Sequence, residues 1–284
     1  MAGPASAPNS GLRRPLAVAA LLVTAAALLT GSPAAGSAAR PTLRVLQFNL
    51  CDSGIAGCYT GRAVAEAAAA IRATAPAVVT LNEICEDDVR VLARAFGGAR
   101  PIQAFQAAGD RRTGTAFRCR NGQPYGIGLL ANLPGGSATS GGIYPMQDVR
   151  DPEERAWLCV HAARRGGAPG LYACTTHLAA TSRAHALAQC RYLLGTAIPA
   201  MGGSAPTVLG GDLNLRSGGS PDVAACVPAG YLREDDGAVQ HVLANGDFTP
   251  GPRTAIAMNG TTDHPGLLVT LTMTPRRTPL AAVR

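Results

Sequence analysis

The chain contains no lysine, and all 25 of its basic residues are arginine. Aromatic residues are also scarce, at 4% of the sequence, and Trp157 is the only tryptophan. So few aromatic rings offer little for stacking nucleobases or for anchoring at a membrane surface, so composition favours neither role. The 284 residues and the apolar fraction of 47% suffice for one large α/β domain or two small ones. Because no internal repeat and no linker follows the N-terminal segment, we expect a single domain over residues 40–284.

The N-terminal segment, residues 1–39, has the composition of a secretory signal peptide. Arg13 and Arg14 precede an apolar run from Leu16 to Leu29, and small residues suited to a signal-peptidase cut follow at Ser37-Ala38-Ala39. The run is short for a helix that crosses a bilayer. The sequence therefore predicts a secreted protein of bacterial type, and an uncleaved membrane anchor is the alternative interpretation.

Loss of Arg13 and Arg14 would lower the net charge from +7 to +5, because no acidic residue precedes Asp52. A modest positive charge suits a polyanionic partner such as extracellular nucleic acid or a lipid headgroup surface. One group of arginines could contact a phosphate backbone, although a solvated loop is the alternative interpretation. These residues are Arg111, Arg112, Arg118 and Arg120.

Eight cysteines behind a signal peptide predict four disulfides in an oxidising compartment. The two strand-like runs 156–163 and 170–178 flank Gly166-Gly167, and a two-residue turn there places Cys159 opposite Cys174. Cys51 and Cys58 would close a short loop after the first strand. The pattern leaves the other pairings open, and we expect Cys85–Cys119 and Cys190–Cys226. A zinc site is the rival interpretation, but it lacks the support of any CxxC spacing.

Hydrophobic periodicity predicts alternating strands and helices in the first part of the domain, which is typical of layered sheets and helices. The strands are 42–50 and 77–84, and the helices are 62–73 and 87–96. Short strands at 126–132, 156–163 and 171–178 follow, with a Gly/Ser/Pro loop at 133–142. A helix over 182–196, a strand over 207–211, a hairpin over 239–247 turning at Asn245-Gly246, and a closing strand over 267–273 complete the prediction.

Polar side chains stand where three predicted strands end, which is where α/β scaffolds present ligands. Glu83 offers a carboxylate suited to a hard divalent ion such as Mg²⁺, and Asn49 could support it. His177 could stabilise charge on a phosphoryl oxygen, as a cationic or hydrogen-bonding imidazole. For each residue taken singly, a structural role is the alternative.

Two further motifs add oxygen and imidazole groups. In Gly211-Asp212-Leu213-Asn214, the period of two of an extended chain puts Asp212 and Asn214 on one side, where they could orient water and hold a phosphate. An Asx-type loop after the glycines is the alternative interpretation. We place Asp263 and His264 on the last strand, where adjacent side chains point opposite ways. Asp263 would then serve a metal and His264 would serve the phosphate, the water or the leaving group.

These residues, in this order, resemble the endonuclease/exonuclease/phosphatase superfamily, which includes deoxyribonuclease-like nucleases and neutral sphingomyelinases. The resemblance implies a four-layer α/β sandwich with two packed mixed β-sheets flanked by helices, and one Mg²⁺-type ion, for which Mn²⁺ or Ca²⁺ could substitute. It implies Glu83 as metal ligand with Asn49 and Asp263 nearby, a phosphate and nucleophile group of His177, Asp212, Asn214 and His264, and a phosphate contact at Arg155. The segments that carry it are Gln47-Phe48-Asn49-Leu50, Asn82-Glu83, 126–131, Glu154-Arg155, Thr176-His177-Leu178, Gly211–Asn214 and Thr262-Asp263-His264-Pro265.

One position departs from the family pattern. Where relatives carry an Asp that pairs with the final His, this chain has Gln240. Gln240 could accept a hydrogen bond from the His264 ring and fix its tautomer, but it supplies no charge. We therefore expect a less basic His264, and we expect the substitution Gln240→Asp to raise turnover. Asp235 or Asp236 could take the place of the missing carboxylate.

The sequence thus predicts a secreted, monomeric, metal-dependent phosphoesterase that hydrolyses phosphodiester bonds and is nuclease-like. Its partner is the phosphodiester substrate, which could be extracellular nucleic acid, and the sequence implies no stable protein partner. A phosphodiesterase acting on phospholipids or small molecules is one alternative. A binding module of the same fold, weakened in catalysis through Gln240, is the other.

Overall fold

The computed structural model describes residues 41–135, 137–163, 170–202 and 205–274. The predicted signal segment, residues 1–39, and the predicted turn at Gly166-Gly167 lie outside the described residues. Within the described residues no helix is long and apolar enough to cross a membrane.

Two six-stranded mixed sheets form the centre of the molecule. The first has the spatial order β14 (Phe248–Ile256), β15 (Gly266–Met273), β1 (Thr42–Asn49), β2 (Val78–Cys85), β6 (Tyr125–Ala131) and β3 (Ile102–Ala107). The second has the order β12 (Leu232–Asp235), β13 (Gln240–Ala244), β11 (Thr207–Asp212), β10 (Leu171–His177), β9 (Ala156–Ala162) and β7 (Ser137–Ile143). A small third sheet joins β5 (Thr115–Ala116), β4 (Gly109–Asp110) and β8 (Glu153–Glu154).

Each large sheet contains one central parallel pair, β1 with β2 and β10 with β11. The carboxyl ends of parallel strands meet at one edge of a sheet. The two pairs therefore bring Asn49 beside Asn82 in the first sheet, and His177 beside Asp212 in the second. This arrangement confirms the predicted mixed sheets and sets the position of the site.

Helices cover the outer face of each sheet and complete the predicted four-layer sandwich. The helices α1 (Ala63–Thr74) and α2 (Glu86–Ala93) pack on the first sheet through residues such as Ile71 and Leu92. On the second sheet, α3 (Arg183–Tyr192) continues through a π-helical turn (Leu193–Ala197) into α4 (Ile198–Gly202). Short 3₁₀ turns lie at Arg94–Phe96 and Val223–Ala225.

The side-chain period of a strand explains how the space between the sheets is filled. In β1, Leu46 and Phe48 pack toward α1, whereas Val45 packs between the sheets. Gln47 and Asn49 have the same parity as Val45 and are also buried. The inward face of this strand therefore changes from apolar to polar as the chain approaches its carboxyl end.

A glycine lets the two sheets approach closely below this polar end. A Cβ atom on Gly210 would lie 2.1 Å from Thr80 Oγ1 of the opposite sheet, well inside van der Waals contact. Any larger residue at position 210 would push the sheets apart. Packing between the sheets thus explains Gly210, whereas a Cβ on Gly211 would meet the carbonyl oxygen of Thr176 in the neighbouring strand β10 at 2.3 Å.

Disulfides join all eight cysteines, and the four expected pairs are confirmed. Cys159 lies directly opposite Cys174 in the β9–β10 register, as the hairpin prediction requires. Since every thiol is oxidised, none of them is a zinc ligand. Cys51–Cys58 closes the loop after β1, and Cys85–Cys119 ties the end of β2 to the segment before β6.

Three local predictions are wrong. The chain at Asn245-Gly246 does not turn a hairpin, because β13 belongs to the second sheet and β14 pairs with β15 in the first. The predicted loop over 133–142 contains most of the edge strand β7. Asp263 and His264 precede the last strand instead of lying on it, since Pro265 carries no N–H with which to continue the ladder.

Candidate active site

A cavity of about 370 Å³ opens where β1, β2, β10 and β11 end. It brings together almost every residue that the sequence placed in the phosphate and metal groups. These lining residues are Glu83, Arg155, His177, Asp212, Asn214, Asp263 and His264. The remaining two, Asn49 and Gln240, are buried and contact Asp212 by hydrogen bonds.

Glu83 reaches the cavity from an irregularity in β2. The β2–β6 register shifts between Asn82 and Ile84, and Glu83 has a φ of 54°, in the left-handed region. A bulge of this kind redirects a side chain out of the strict alternation of a strand. Burial raises the pKa of the Glu83 carboxyl, and the nearby carboxylates of Asp212 and Asp263 raise it further.

Asn49 links the two buried carboxylates. Its Nδ2 donates to Glu83 Oε1 at 2.8 Å and to Asp212 Oδ2 at 3.1 Å. Its Oδ1 accepts from the backbone N–H of Cys51 at 3.2 Å, and since that group can only donate, the amide orientation is fixed. Asn49 therefore orients the carboxylates through its nitrogen, which differs from the metal-ligand role expected from the sequence.

Asp212 is held from several sides. The backbone N–H of Asn214 donates to its Oδ1 at 3.0 Å, and the ring Nε2 of His264 lies 3.6 Å from its Oδ2. Burial raises the pKa of the Asp212 carboxyl, whereas His264, Asn49, the Asn214 N–H and Gln240 lower it. Four favourable neighbours thus oppose the cost of burying the charge.

Asn214 adopts a strained backbone conformation at the cavity wall. Its φ of 50° lies in the left-handed region, which Asn tolerates better than most residues. Its side-chain Nδ2 donates to the carbonyl of Leu178 at 2.9 Å. The residue is therefore fixed both by its backbone and by its amide, with the side chain at the cavity surface.

His177 and Arg155 form a second group in the lining of the cavity, next to Asp212 and Glu83. Arg155 Nη1 lies 2.9 Å from His177 Nδ1 and 3.3 Å from Nε2, and since a guanidinium only donates, one of these ring nitrogens accepts, Nδ1 being the nearer. Burial, then the charges of Arg155 and His264, hold the pKa of His177 well below its usual value. The imidazole is therefore neutral, which excludes the cationic alternative and leaves hydrogen bonding.

Two acids that the sequence reading missed secure Arg155. The guanidinium forms ion pairs with Asp151 at 2.8 Å and Glu153 at 3.0 Å, and all but about one-twentieth of the residue is buried. The acid-rich run Asp151-Pro152-Glu153-Glu154 directly before Arg155 was the available signal. Since both acids compete for its N–H groups, Arg155 has less capacity to contact a phosphate than the sequence alone implied.

Gln240 does not make the hydrogen bond predicted for it. Its Nε2 donates to Asp212 Oδ2 at 2.7 Å and its Oε1 accepts from Gln47 Nε2 at 3.0 Å, and among the described residues it has no hydrogen bond to His264. The prediction that Gln240 orients the His264 ring directly is therefore wrong in this geometry. Asp235 and Asp236 do not replace it, because their carboxylates bond to Ser217 and to the backbone of Ala238.

The chemistry of the donor set fits a hard divalent cation. Glu83 and Asp263 line the cavity with carboxylate oxygens, and Asp212 lies beside them. The mutual influence of these acids on the Glu83 pKa means that a positive charge between them would relieve repulsion. Glu83 and Asp263 are the residues that would hold such an ion, with Asp212 adjacent.

The arginine group predicted from the sequence separates into two kinds. Arg111 turns inward, donating to the carbonyl of Asp151, while Arg112 pairs with Asp110. Arg118 and Arg120 are exposed, and the Cβ of Arg120 packs 2.9 Å from the position that a Cβ on Gly54 would take. Because the neighbouring Ser53 and Ile55 line the cavity, Arg120 stands at its rim.

A family model described as the Endonuclease/Exonuclease/phosphatase family matches residues 47–264, which is most of the chain. The protein therefore belongs to the endonuclease/exonuclease/phosphatase family, and it has the phosphoesterase fold of that family.

Solved structures of low sequence identity share the fold. The human Nocturnin catalytic domain with bound sulfate anion has 15% identity and a TM-score of 0.63, covering 82% of this chain and 94% of its own. An endonuclease/exonuclease/phosphatase from Beutenbergia cavernae has 19% identity and a TM-score of 0.61, covering 82% and 72%. A mannosyl-6-phosphatase from Bacteroides thetaiotaomicron has 12% identity and a TM-score of 0.61, covering 81% and 100%. Comparison with curated proteins found no match.

Proposed function

We propose that the protein is a divalent-metal-dependent phosphodiesterase. The observation that carries the proposal is the convergence of Asp212, Asn214 and His264 with the carboxylates of Glu83 and Asp263 around one cavity. Phosphoester hydrolysis uses a general base and a metal site. Here Asp212 and His264 provide the basic groups, and Glu83 and Asp263 provide a pair of carboxylates for the metal. When bound, a divalent ion at Glu83 and Asp263 supplies Lewis-acid stabilisation of phosphoryl charge.

The remaining steps fall to the side chains of the chain itself. Asp212 and His264 orient the attacking water and accept its proton, because their atoms lie 3.6 Å apart at the cavity surface. The protonated ring nitrogen of neutral His177 and the amide of Asn214 donate to the non-bridging phosphoryl oxygens. Fixed donors of this kind lose little free energy to reorganisation during the reaction.

Nucleic acid is the leading substrate class. Arg120 at the cavity rim, with Arg118 exposed nearby in the chain, offers cationic groups to a phosphate backbone that leaves the cavity. A small-molecule or lipid phosphodiester is the second candidate, since Ile55, Ala56 and Phe117 give the cavity an apolar wall. Ile55 is 57% exposed and is available to an apolar substituent.

The test is hydrolysis by the oxidised, signal-free protein of plasmid DNA, an aryl phosphodiester and a phospholipid in vesicles. Each reaction is run with Mg²⁺, with a chelator, and with the variant Asp263→Ala. We expect chelator-sensitive cleavage that the variant loses, and the preferred substrate identifies the class. Absence of turnover on all three, with Mg²⁺ still bound, would support the catalytically weakened binding module instead.

We also propose that the protein is secreted and monomeric. Four disulfides support an oxidising compartment, where such bonds persist. Expression of the full chain in a bacterial host should release a product beginning near residue 40, which N-terminal sequencing checks. Light scattering on that product should give the mass of one chain.

A further inference from the structure

Below Asp212 lies a row of hydrogen bonds that donate in one direction, from the first sheet to the second. The hydroxyl of Thr80 donates to Gln47 Oε1. Gln47 Nε2 donates to Gln240 Oε1 at 3.0 Å, and Gln240 Nε2 donates to Asp212 Oδ2 at 2.7 Å. All four residues are buried. We call the first three the amide relay.

The direction of the amide relay is fixed by a backbone group. Gln47 Nε2 also lies 3.0 Å from the carbonyl of Phe48 and 2.7 Å from Asn82 Oδ1, so its two hydrogens are shared among three acceptors, and a carbonyl can only accept. The nitrogen of Gln47 must therefore face Gln240, so Gln240 presents its oxygen to Gln47 and its nitrogen to Asp212. As a result Asp212 meets an N–H donor, and no oxygen, at this position.

This arrangement leads to a different interpretation of Gln240, the residue that stands where relatives carry an Asp. With an amide at position 240, two carboxylates lie near the His264 ring Nε2, that of buried Asp212 at 3.6 Å and that of exposed Asp263 at 3.7 Å. Asp263 is the residue that would hold the metal ion, which leaves Asp212 as the partner of the ring. Asn82 supports the same residue, since its Oδ1 accepts from the backbone N–H of Asp212 at 2.6 Å. With Gln at position 240, the buried negative charge beside His264 is, among the described residues, that of Asp212 alone.

We propose that Gln240 and Gln47 are positioning residues that hold the Asp212 carboxylate against His264, so that Asp212 serves as the charged partner of that imidazole. This inference rests on the proposed hydrolytic function. It reverses the expected effect of Gln240→Asp, because a carboxylate at 240 would face the Asp212 carboxylate, and two like charges at that distance repel.

The test compares Gln240→Met with the matched control Gln189→Met. Both remove a fully buried glutamine amide, but Gln189 bonds to the backbone of Ala179 and Met146 and, at 3.5 Å, to Gln147 Oε1. Among the described residues it has no hydrogen bond to Asp212. With an aryl phosphodiester and saturating Mg²⁺, we expect Gln240→Met to lower kcat about tenfold or more, with KM within about twofold. Gln189→Met should lower Tm comparably while keeping kcat. A kcat for Gln240→Met within about twofold of wild type would overturn the proposal.

Gln240→Asp decides the sign of the effect and keeps a polar side chain should Gln240→Met fail to fold. We expect a lower kcat than wild type. A higher kcat would show that a carboxylate at 240 serves His264 better than the amide relay does, and would overturn the proposal.

An NMR comparison that requires no catalytic turnover tests the role of Gln240 independently of the proposed function. Nitrogen-correlated NMR of the metal-free protein reports the His264 ring signals, and Gln240→Met should shift them while Gln189→Met leaves them in place. Unchanged His264 signals in Gln240→Met would overturn the proposal. A wild-type protein inactive on every ester would contradict the proposed function, yet the NMR comparison would still decide the position of Asp212.

Discussion

The space between the two sheets has an apolar half and a polar half built from the same strands. Toward the start of β1 it holds Val45, packed with Leu158 and Val208 of the facing sheet. Toward the end of β1 it holds Gln47 and Asn49, which bond to residues of the facing sheet. The strand period and the sheet spacing continue through both halves, so only the side-chain chemistry changes. One layer of the fold therefore serves both as the core and as the floor of the site.

The polar half is stable because its buried side-chain nitrogen and oxygen atoms have hydrogen-bond partners. Within the described residues, the buried side-chain nitrogen and oxygen atoms without a partner belong to Arg111, Arg155 and His241. None belongs to the amide relay or to Asn49, Asn82 or Asp212. A buried polar group with partners costs little, whereas one without partners costs about 1–3 kcal/mol. Changes in this half should therefore affect activity in ways that changes in the apolar half do not.

The largest expected effect is that of Asp212→Asn, which removes the charge and keeps the shape. Loss of the base that orients water should lower kcat on an aryl phosphodiester about 10³-fold. Because both Asp212 oxygens accept from N–H groups, the new NH2 group faces a donor, and the free energy of unfolding should also fall by about 1–3 kcal/mol. Steady-state kinetics measure kcat, and a thermal unfolding scan of the same sample measures the stability of the variant. A variant with near wild-type kcat would remove Asp212 from the mechanism.

Leu158→Ala should give the opposite result in the apolar half. Leu158 is 1% exposed between the sheets, so its truncation leaves a cavity and should lower the free energy of unfolding by about 2–5 kcal/mol. Well below its Tm, the variant should keep the kcat of the wild type. Denaturant unfolding measures the loss, and a fall in kcat comparable to that of Asp212→Asn would show that the two halves are not separable.

Asp52 is a contrasting case, because its half-buried carboxyl group lies beside the Asp88 carboxyl and accepts a long hydrogen bond from the backbone N–H of Cys85 at 3.5 Å. Burial, and then Asp88, raise the pKa of Asp52 from 3.8 to about 7. The folded state therefore binds the proton more tightly than the unfolded chain, and stability is lost as the pH rises from about 4 through about 7. Asp52→Asn should unfold at a higher temperature than wild type at pH 8, by about 1–4 kcal/mol in stability, the upper figure being a three-unit pKa shift without solvent screening. At pH 4 the two proteins should unfold at nearly the same temperature. If Asp52→Asn and the wild type had equal Tm values at pH 8 as well as at pH 4, the raised pKa of Asp52 would be contradicted.

The smallest effect is expected at the rim. Arg120→Gln should weaken binding of a short DNA duplex in the presence of chelator and reduce the salt slope by about one, because one phosphate contact is lost. Arg72→Gln is the matched control, since Arg72 is exposed in the last turn of α1, away from the residues that line the cavity. If both variants bind like wild type, the nucleic-acid substrate loses its support and the small or lipid phosphodiester gains it.

The local sequence pattern was sufficient to predict layered sheets and helices and the pairing of Cys159 with Cys174. Both follow from the period of strands and helices and from the position of one turn, which are properties of neighbouring residues. The strand ends that carry Asn49, His177 and Asp212 were predicted for the same reason. The ordered motifs of the family then identified these ends as one site.

The remaining features depend on contacts between distant parts of the chain. Gln240 bonds to Asp212 because the antiparallel pairing of β13 with β11, two strands far apart in the chain, places the two residues directly opposite each other. The switch between sheets after Ala244 looks like a hairpin in sequence, because Asn-Gly is a common turn in both settings. The bulge that directs Glu83 into the cavity has a backbone conformation that no residue type at that position announces.

The most decisive experiment is the hydrolysis of an aryl phosphodiester by wild type and Asp212→Asn, each with Mg²⁺ and with chelator. It asks whether the protein is a metal-dependent phosphodiesterase that uses Asp212. We predict cleavage by the wild type in Mg²⁺ that falls about 10³-fold in the variant and is lost in chelator. Equal rates for the two proteins, or cleavage unaffected by chelator, would contradict a metal-dependent phosphodiesterase centred on Asp212.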